Sequence, residues 1–74
     1  MYKIGDRVKI VSDNEHYDNY RDKILIVENY STNSNNCPAY DETMEGMQLM
    51  DFKTEENKES VPFSLYEYEV KMSN

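Results

Sequence analysis

No stretch of this chain carries an apolar stripe of helical period longer than two turns. Its apolar residues fall instead into short runs that alternate, or that cluster β-branched side chains. That pattern confines the chain to a small sheet structure, because no helix of useful length would have a face to bury. The first run, Asp6-Arg7-Val8-Lys9-Ile10-Val11, alternates Val8 and Ile10 with Arg7 and Lys9 and follows the turn residue Gly5, which predicts a half-buried strand. Lys23-Ile24-Leu25-Ile26-Val27 is continuous and rich in β-branched residues, the pattern of a central strand buried on both faces. Between the two, residues 12–20 are polar and turn-rich, with Tyr17 and Tyr20 placed to fold back over a core.

Residues 31–44 open with Ser31-Thr32-Asn33-Ser34-Asn35-Asn36 and continue through Cys37-Pro38. So long a connection in a chain of 74 residues is expected to be mobile or functional. In the third run, Gly46 to Lys53, the apolar positions change phase at Leu49-Met50, which predicts a bulge or bend there. A charged hairpin turn follows over Thr54–Ser60, then Val61-Pro62-Phe63 as a short edge strand, since Pro62 has no amide proton to donate. Ser64-Leu65-Tyr66-Glu67 fits one 3₁₀ turn and Tyr68-Glu69-Val70-Lys71 a last strand. Five short strands with one such turn describe a mostly β, five-stranded SH3-like barrel forming a single domain over 1–74. Closure suits this length because it removes unpaired sheet edges. An oligonucleotide-binding barrel is the other architecture, but it usually needs more residues and a longer helix.

The formal net charge is −7, and its placement says more than its size. Residues 1–25 cancel five basic groups (Lys3, Arg7, Lys9, Arg21, Lys23) against five acids, whereas residues 26–74 set ten acids against three lysines. Such asymmetry predicts a field that repels nucleic acid and draws basic surfaces, beyond the ordinary use of net charge for solubility.

Catalytic chemistry finds little to work with. His16, the sole imidazole, sits among Glu15 and Asp18 in a polar loop, where solvation explains it better than a role as a base. Cys37 has no neighbouring Lys or Arg to lower its pKa, and one cysteine with one histidine cannot build a zinc site. Asp13, Glu15 and Asp18 have loose calcium-loop spacing, yet Asp18 stands where the loop needs glycine. No enzyme, cofactor or metal is expected. A lone cysteine suits a reducing cytoplasm, and neither a signal-peptide core nor a membrane-spanning run is present.

Seven tyrosines and no tryptophan suit base stacking only beside a cationic groove, which the acidity opposes. Tyrosines among carboxylates instead make a protein-binding surface. Tyr66-Glu67-Tyr68-Glu69 shows that alternation, and a strand there would put both acids on one face. Asp41-Glu42-Thr43-Met44-Glu45 adds three carboxylates beside adaptable methionines. The expected partner-binding set is Asp41, Glu42, Glu45, Asp51, Glu55, Glu56, Glu59, Tyr66, Glu67, Tyr68 and Glu69. The rival set, for a nucleic-acid-binding module, is Arg7, Lys9, Arg21 and Lys23; a structural or scaffold protein is a third reading.

The opening Tyr2-Lys3-Ile4-Gly5-Asp6-Arg7-Val8-Lys9-Ile10 and the closing Val61-Pro62-Phe63-Ser64-Leu65-Tyr66-Glu67-Tyr68-Glu69-Val70 resemble the two ends of SH3-like barrels. In size, acidity and asparagine-rich style the chain is similar to the small acidic inhibitors of the bacterial DNA-polymerase sliding clamp made by Twort-like staphylococcal phages. That resemblance implies a host-cytoplasmic DNA mimic, acting as a dimer in the basic channel of the β sliding clamp and blocking replication without binding nucleic acid or membrane. Gln48-Leu49-Met50-Asp51-Phe52 only partly echoes a clamp-binding peptide, so occupation of the channel is the expected mode.

Overall fold

Half-buried alternation sets the local structure. The computed structural model describes residues 2–32 and 46–73. In order these form β1 (Arg7–Ile10), a 3₁₀ helix η1 (Glu15–Tyr20), β2 (Leu25–Thr32), β3 (Gln48–Thr54), β4 (Leu65–Tyr66), a 3₁₀ turn η2 (Glu67–Glu69) and β5 (Val70–Met72). The strands make one antiparallel sheet in the order β4-β3-β2-β1-β5. β2 lies at the centre. Its first residues pair with both β1 and β3, and the rest pair with β3 alone.

The connection between the outer strands dictates the shape of the sheet. Five strands at ordinary spacing put the two edges about 19 Å apart if the sheet is flat. The chain passes from Tyr66 in β4 to Val70 in β5 through only the three residues of η2, a span of at most about 14 Å even when fully extended. The sheet therefore curls until both edges reach η2. Backbone bonds from the Val11 and Ser12 amides to the Glu69 carbonyl, at 2.8 and 3.2 Å, extend β1 onto the same turn. The ladder is not closed, since β4 and β5 do not pair.

Inside the curl, Val8, Ile10, Leu25, Val27, Met50, Phe52, Val61, Leu65 and Val70 form one buried cluster. Each aliphatic or aromatic side chain removed from water there contributes roughly 1.5–3 kcal/mol. Tyr17 and Tyr20 fold back from η1 onto Phe63, with ring centroids 4.7 and 5.5 Å away, and the three pack over the core. Two buried polar residues serve as fasteners. Gln48 accepts from the Tyr2 amide at 2.9 Å and donates to the Tyr2 carbonyl at 2.7 Å, which pins the start of the chain to β3. Thr54 organises the turn after β3 by accepting from the Asn57 and Glu59 amides through its hydroxyl. The turn still holds Lys58 at φ 57°, a conformation that costs a side chain about 1 kcal/mol.

Several local expectations change. β3 is not bulged at Leu49-Met50; it alternates cleanly with Gln48, Met50, Phe52 and Thr54 inward. Two of those four are polar, so counting apolar residues alone misplaces the phase. The irregularity lies instead on β2, between Val27 and Asn29. β2 is not buried on both faces either, because Ile26 between Leu25 and Val27 is only half-buried. Val61-Pro62-Phe63 is not a strand: the ladder survives there as a single Ser60–Lys53 bridge and the bond from the Val61 amide to the Phe52 carbonyl. Leu65 and Tyr66 are strand, and the 3₁₀ turn begins at Glu67 rather than Ser64. Six further residues, Glu15–Tyr20, are also 3₁₀, and Ser31 and Thr32 belong to β2. Most of the expected 31–44 loop lies outside the described residues.

Replacing Gln48 with leucine leaves both Tyr2 backbone groups without their partner. The expected outcome is a loss of about 1–3 kcal/mol of unfolding free energy, read as a lower urea midpoint with an unchanged slope.

Candidate functional site

The charges of the acidic half fall into two groups with different fates. Near the turn after β3 they are neutralised. Glu55 makes a two-point pair with Arg7, at 2.9 and 3.1 Å, and Glu56 lies 3.7 Å from Lys23. These two, with Asp18, Asn19, Asp22, Lys23 and Ile24, line an open cleft of about 510 Å³. Asp18 in turn pairs with Arg21 at 2.6 Å. Most of the negative charge in this cleft is therefore already answered from within the chain, and exposed pairs of this kind add little to stability.

Around η2 the pattern reverses. Glu67 Oε1 accepts from the Gln48 amide at 2.9 Å, and Glu69 Oε2 accepts from the Tyr66 amide at 3.0 Å. Both carboxylates are held by backbone N–H groups, and among the described residues neither has a cation within ion-pair distance. Between them in sequence, Tyr68 is 52% exposed, and its ring lies nearly parallel to that of Tyr66, at 6.1 Å and 14°. Strand alternation does not produce this arrangement. The expected one-faced pair of acids is replaced by a turn in which each acid satisfies a different amide.

The remaining expected residues are scattered. Asp51 is exposed on β3 and accepts from the Ser64 hydroxyl. Glu59 is exposed beyond the turn. Asp41, Glu42 and Glu45 lie outside the described residues, as does Cys37. His16 is exposed at the start of η1, where its amide donates to Asn14. Among the described residues no cluster of His, Cys, Asp or Glu could hold a metal ion, and no helix is long and apolar enough to cross a membrane.

The outward face of the sheet is polarised, which composition hides. Ladder register puts Lys9 directly opposite Lys71, while Arg7, Ile26 and Lys53 form a row across β1, β2 and β3. At the other end, Leu49 faces Tyr66, with Asp51 two residues further along β3. One end of this face is basic; the other is aromatic and acidic. Lys53 and Lys71 escape a sequence reading because only the register reveals their neighbours. Of the four cations proposed for nucleic acid, Arg7 and Lys9 are on this face. Arg21 is instead a staple in the η1 loop, bound to Asp18 and to the Ser12 and Asn14 carbonyls, and Lys23 faces Glu56.

The negative end also acts on nearby phenols. Burial pushes the Tyr2 hydroxyl above the usual tyrosine pKa, with the charges of Glu67 and then Asp6 adding to it. Tyr17 is raised by burial first and by Glu69 second; its hydroxyl donates to Glu69 Oε1 at 3.5 Å.

Set beside known proteins, the chain matches no family model, no curated protein and no solved structure. Its site is therefore read from its own chemistry.

Two outcomes follow from this geometry. Lys71→Glu turns a like-charged cross-strand pair into an opposite one, so it should raise the urea midpoint at low ionic strength and lose that gain near about 1 M salt. The tyrosines set the alkaline limit. Because folding raises both pKa values, their contribution is complete below the unfolded value of about 10 and disappears as pH rises through the higher folded values. Stability should fall above about pH 10, and more gently in the Tyr2→Phe/Tyr17→Phe double variant.

Proposed function

We propose that this domain is a non-catalytic binding module, an SH3-like barrel whose partner is a basic, DNA-binding protein surface. In this reading its carboxylates stand where DNA phosphates would, since a carboxylate shares a phosphate's charge and its two-point acceptance of arginine. The observation that carries the reading is the pair Glu67 and Glu69. Both are fixed by backbone amides, with no cation within ion-pair distance among the described residues, beside the exposed ring of Tyr68. Carboxylates already ordered lose little freedom on binding, and a field left unanswered within the chain remains available to a partner. Asp51 and Glu59 extend the negative surface; Glu55 and Glu56 contribute less, because Arg7 and Lys23 already face them. Asp41, Glu42 and Glu45 belong to the proposed surface on sequence grounds alone.

The resemblance to phage inhibitors supplies the candidate partner, the β sliding clamp of the bacterial host, and the consequence, blocked DNA replication in the host cytoplasm. Purified clamp titrated with this protein should bind it, release primed DNA, and show affinity falling on the order of tenfold or more between low and high salt. Asp51→Asn combined with Glu59→Gln, which leaves the η2 amides capped, should weaken binding by several fold. Affinity indifferent to salt would remove the mimicry mechanism.

A second reading has one observation in its favour: Arg7, Lys9, Lys53 and Lys71 share the outward face, as a nucleic-acid-binding module would require. A gel shift with single- and double-stranded DNA and RNA separates the two. The mimic leaves all of them unshifted, whereas the basic face would shift at least one.

A further inference from the structure

Among the described residues Tyr68 is the most exposed tyrosine, and its geometry relative to the half-buried Tyr66 is defined. Tyr66 stands on the outward face of β4, opposite Leu49, and η2 turns Tyr68 back so that the rings are within 14° of parallel. Tyr68 keeps half its surface in water. A half-exposed, flat ring beside a second ring is a costly surface to leave wet, and among the described residues no cation is paired with the acids on either side of it. The nearest charges along the chain are Glu67 and Glu69 on either side of Tyr68. Asp51 is two residues beyond Leu49 on the same strand face, with Lys53 two further on. Glu67 commits only Oε1 to the Gln48 amide, so its other oxygen takes no hydrogen bond from the described residues.

Charge complementarity selects a cation as the occupant, and the shape of the site selects which cation. An ammonium group is compact and strongly hydrated, and gains little from a flat platform. A guanidinium is planar, sheds water more easily, stacks face to face on an aromatic ring, and offers five N–H donors in its own plane. A guanidinium stacked on the Tyr68 ring directs those donors outward, where neighbouring carboxylates can accept them.

We infer that the exposed ring of Tyr68, flanked along the chain by Glu67 and Glu69 and with Asp51 on the neighbouring strand, is a seat for an arginine side chain of the partner, and that it discriminates arginine from lysine. The inference rests on the reading of this domain as a binder of basic protein surfaces and adds which side chain is recognised and where. It gives Tyr68 the role of platform, and Glu67 that of acceptor.

The full chain is titrated with two synthetic peptides, hexa-arginine and hexa-lysine, at the same ionic strength. The arginine peptide is expected to bind about fivefold tighter or better, a preference within the range of a cation–aromatic contact. Tyr68→Leu should bring the two affinities within about twofold, while Tyr68→Phe, which keeps the ring, should retain the preference. Urea midpoints confirm that both variants remain folded; Tyr68 is outside the buried cluster. Should either variant unfold, chemical-shift changes at the Tyr68 ring of the native chain on adding each peptide give the same decision. Equal, salt-sensitive affinities for the two peptides would overturn the arginine seat while leaving the binding function standing. A preference that survives Tyr68→Leu would also overturn it, by placing recognition elsewhere. Failure to bind either peptide would remove the binding function and the seat together.

Discussion

Three residues, Glu67 to Glu69, join the two edges of a five-stranded sheet, and the remaining architecture is a consequence of that shortness. A flat sheet cannot be bridged by so short a link, so the strands must wrap. Wrapping gives a thin chain an enclosed interior that a two-layer arrangement of this length could not supply. The inward positions of all five strands then converge in one cluster around Phe52, Leu25 and Met50, all fully buried. Without the link, β4 with two residues and β5 with three would be edge fragments too short to persist.

The same link fixes the chemistry of the surface. A 3₁₀ turn at the meeting of two sheet edges leaves backbone amides that no ladder pairs, and buried or half-buried amides need partners. Glu67 and Glu69 fill that need for Gln48 and Tyr66. Their order as negative groups is thus a by-product of folding, already present before the proposed partner binds. Fold and site share residues here, so a change at either glutamate alters both. The outer carboxylates Asp51 and Glu59 do not have this double duty.

Much of the sheet was legible in the sequence because its strands are amphipathic. Val8 and Ile10 alternate with Arg7 and Lys9 in β1, and the central place of β2 was visible in its β-branched run, although that run suggested burial on both faces and only Leu25 and Val27 turn inward. The polar segment carrying Tyr17 and Tyr20 does fold back over the core. What was not legible depended on polar residues facing inward and on register. Gln48 and Thr54 are buried because each satisfies backbone groups of another segment, a fact no hydrophobic count contains. Their burial corrected the phase of β3 and moved the irregularity to β2. Pro62 signalled a short edge strand, and the sequence did not show that Phe63 would leave the ladder to meet two tyrosines. At the site, the acidic residues were visible as a list of charges. Which of them remain without a counter-ion was not, because Arg7 and Lys23, distant in sequence, neutralise Glu55 and Glu56.

That last point changes what acidity means for this chain. A net charge of −7 describes the far field, which governs how fast a partner of opposite sign arrives. At contact, within a Debye length of about 8 Å at physiological salt, only charges not already paired within the chain act on the partner. The cleft beside η1 is lined by acids, yet Arg7, Lys23 and Arg21 occupy most of its carboxylates. The η2 end has fewer acids, and these are oriented, without an ion-pair partner among the described residues, and beside the exposed ring of Tyr68. A partner must desolvate whatever it touches. It gains most where the carboxylates need no rearrangement and where a flat ring can replace the water it displaces. On the proposed reading, local geometry favours the η2 end over the more acidic cleft, and the basic strip of Lys9 and Lys71 on the same face would constrain the approach. A basic partner seated over Tyr68 must keep its own cations clear of β1 and β5, so charge that attracts at one end of the sheet fixes orientation by repulsion at the other.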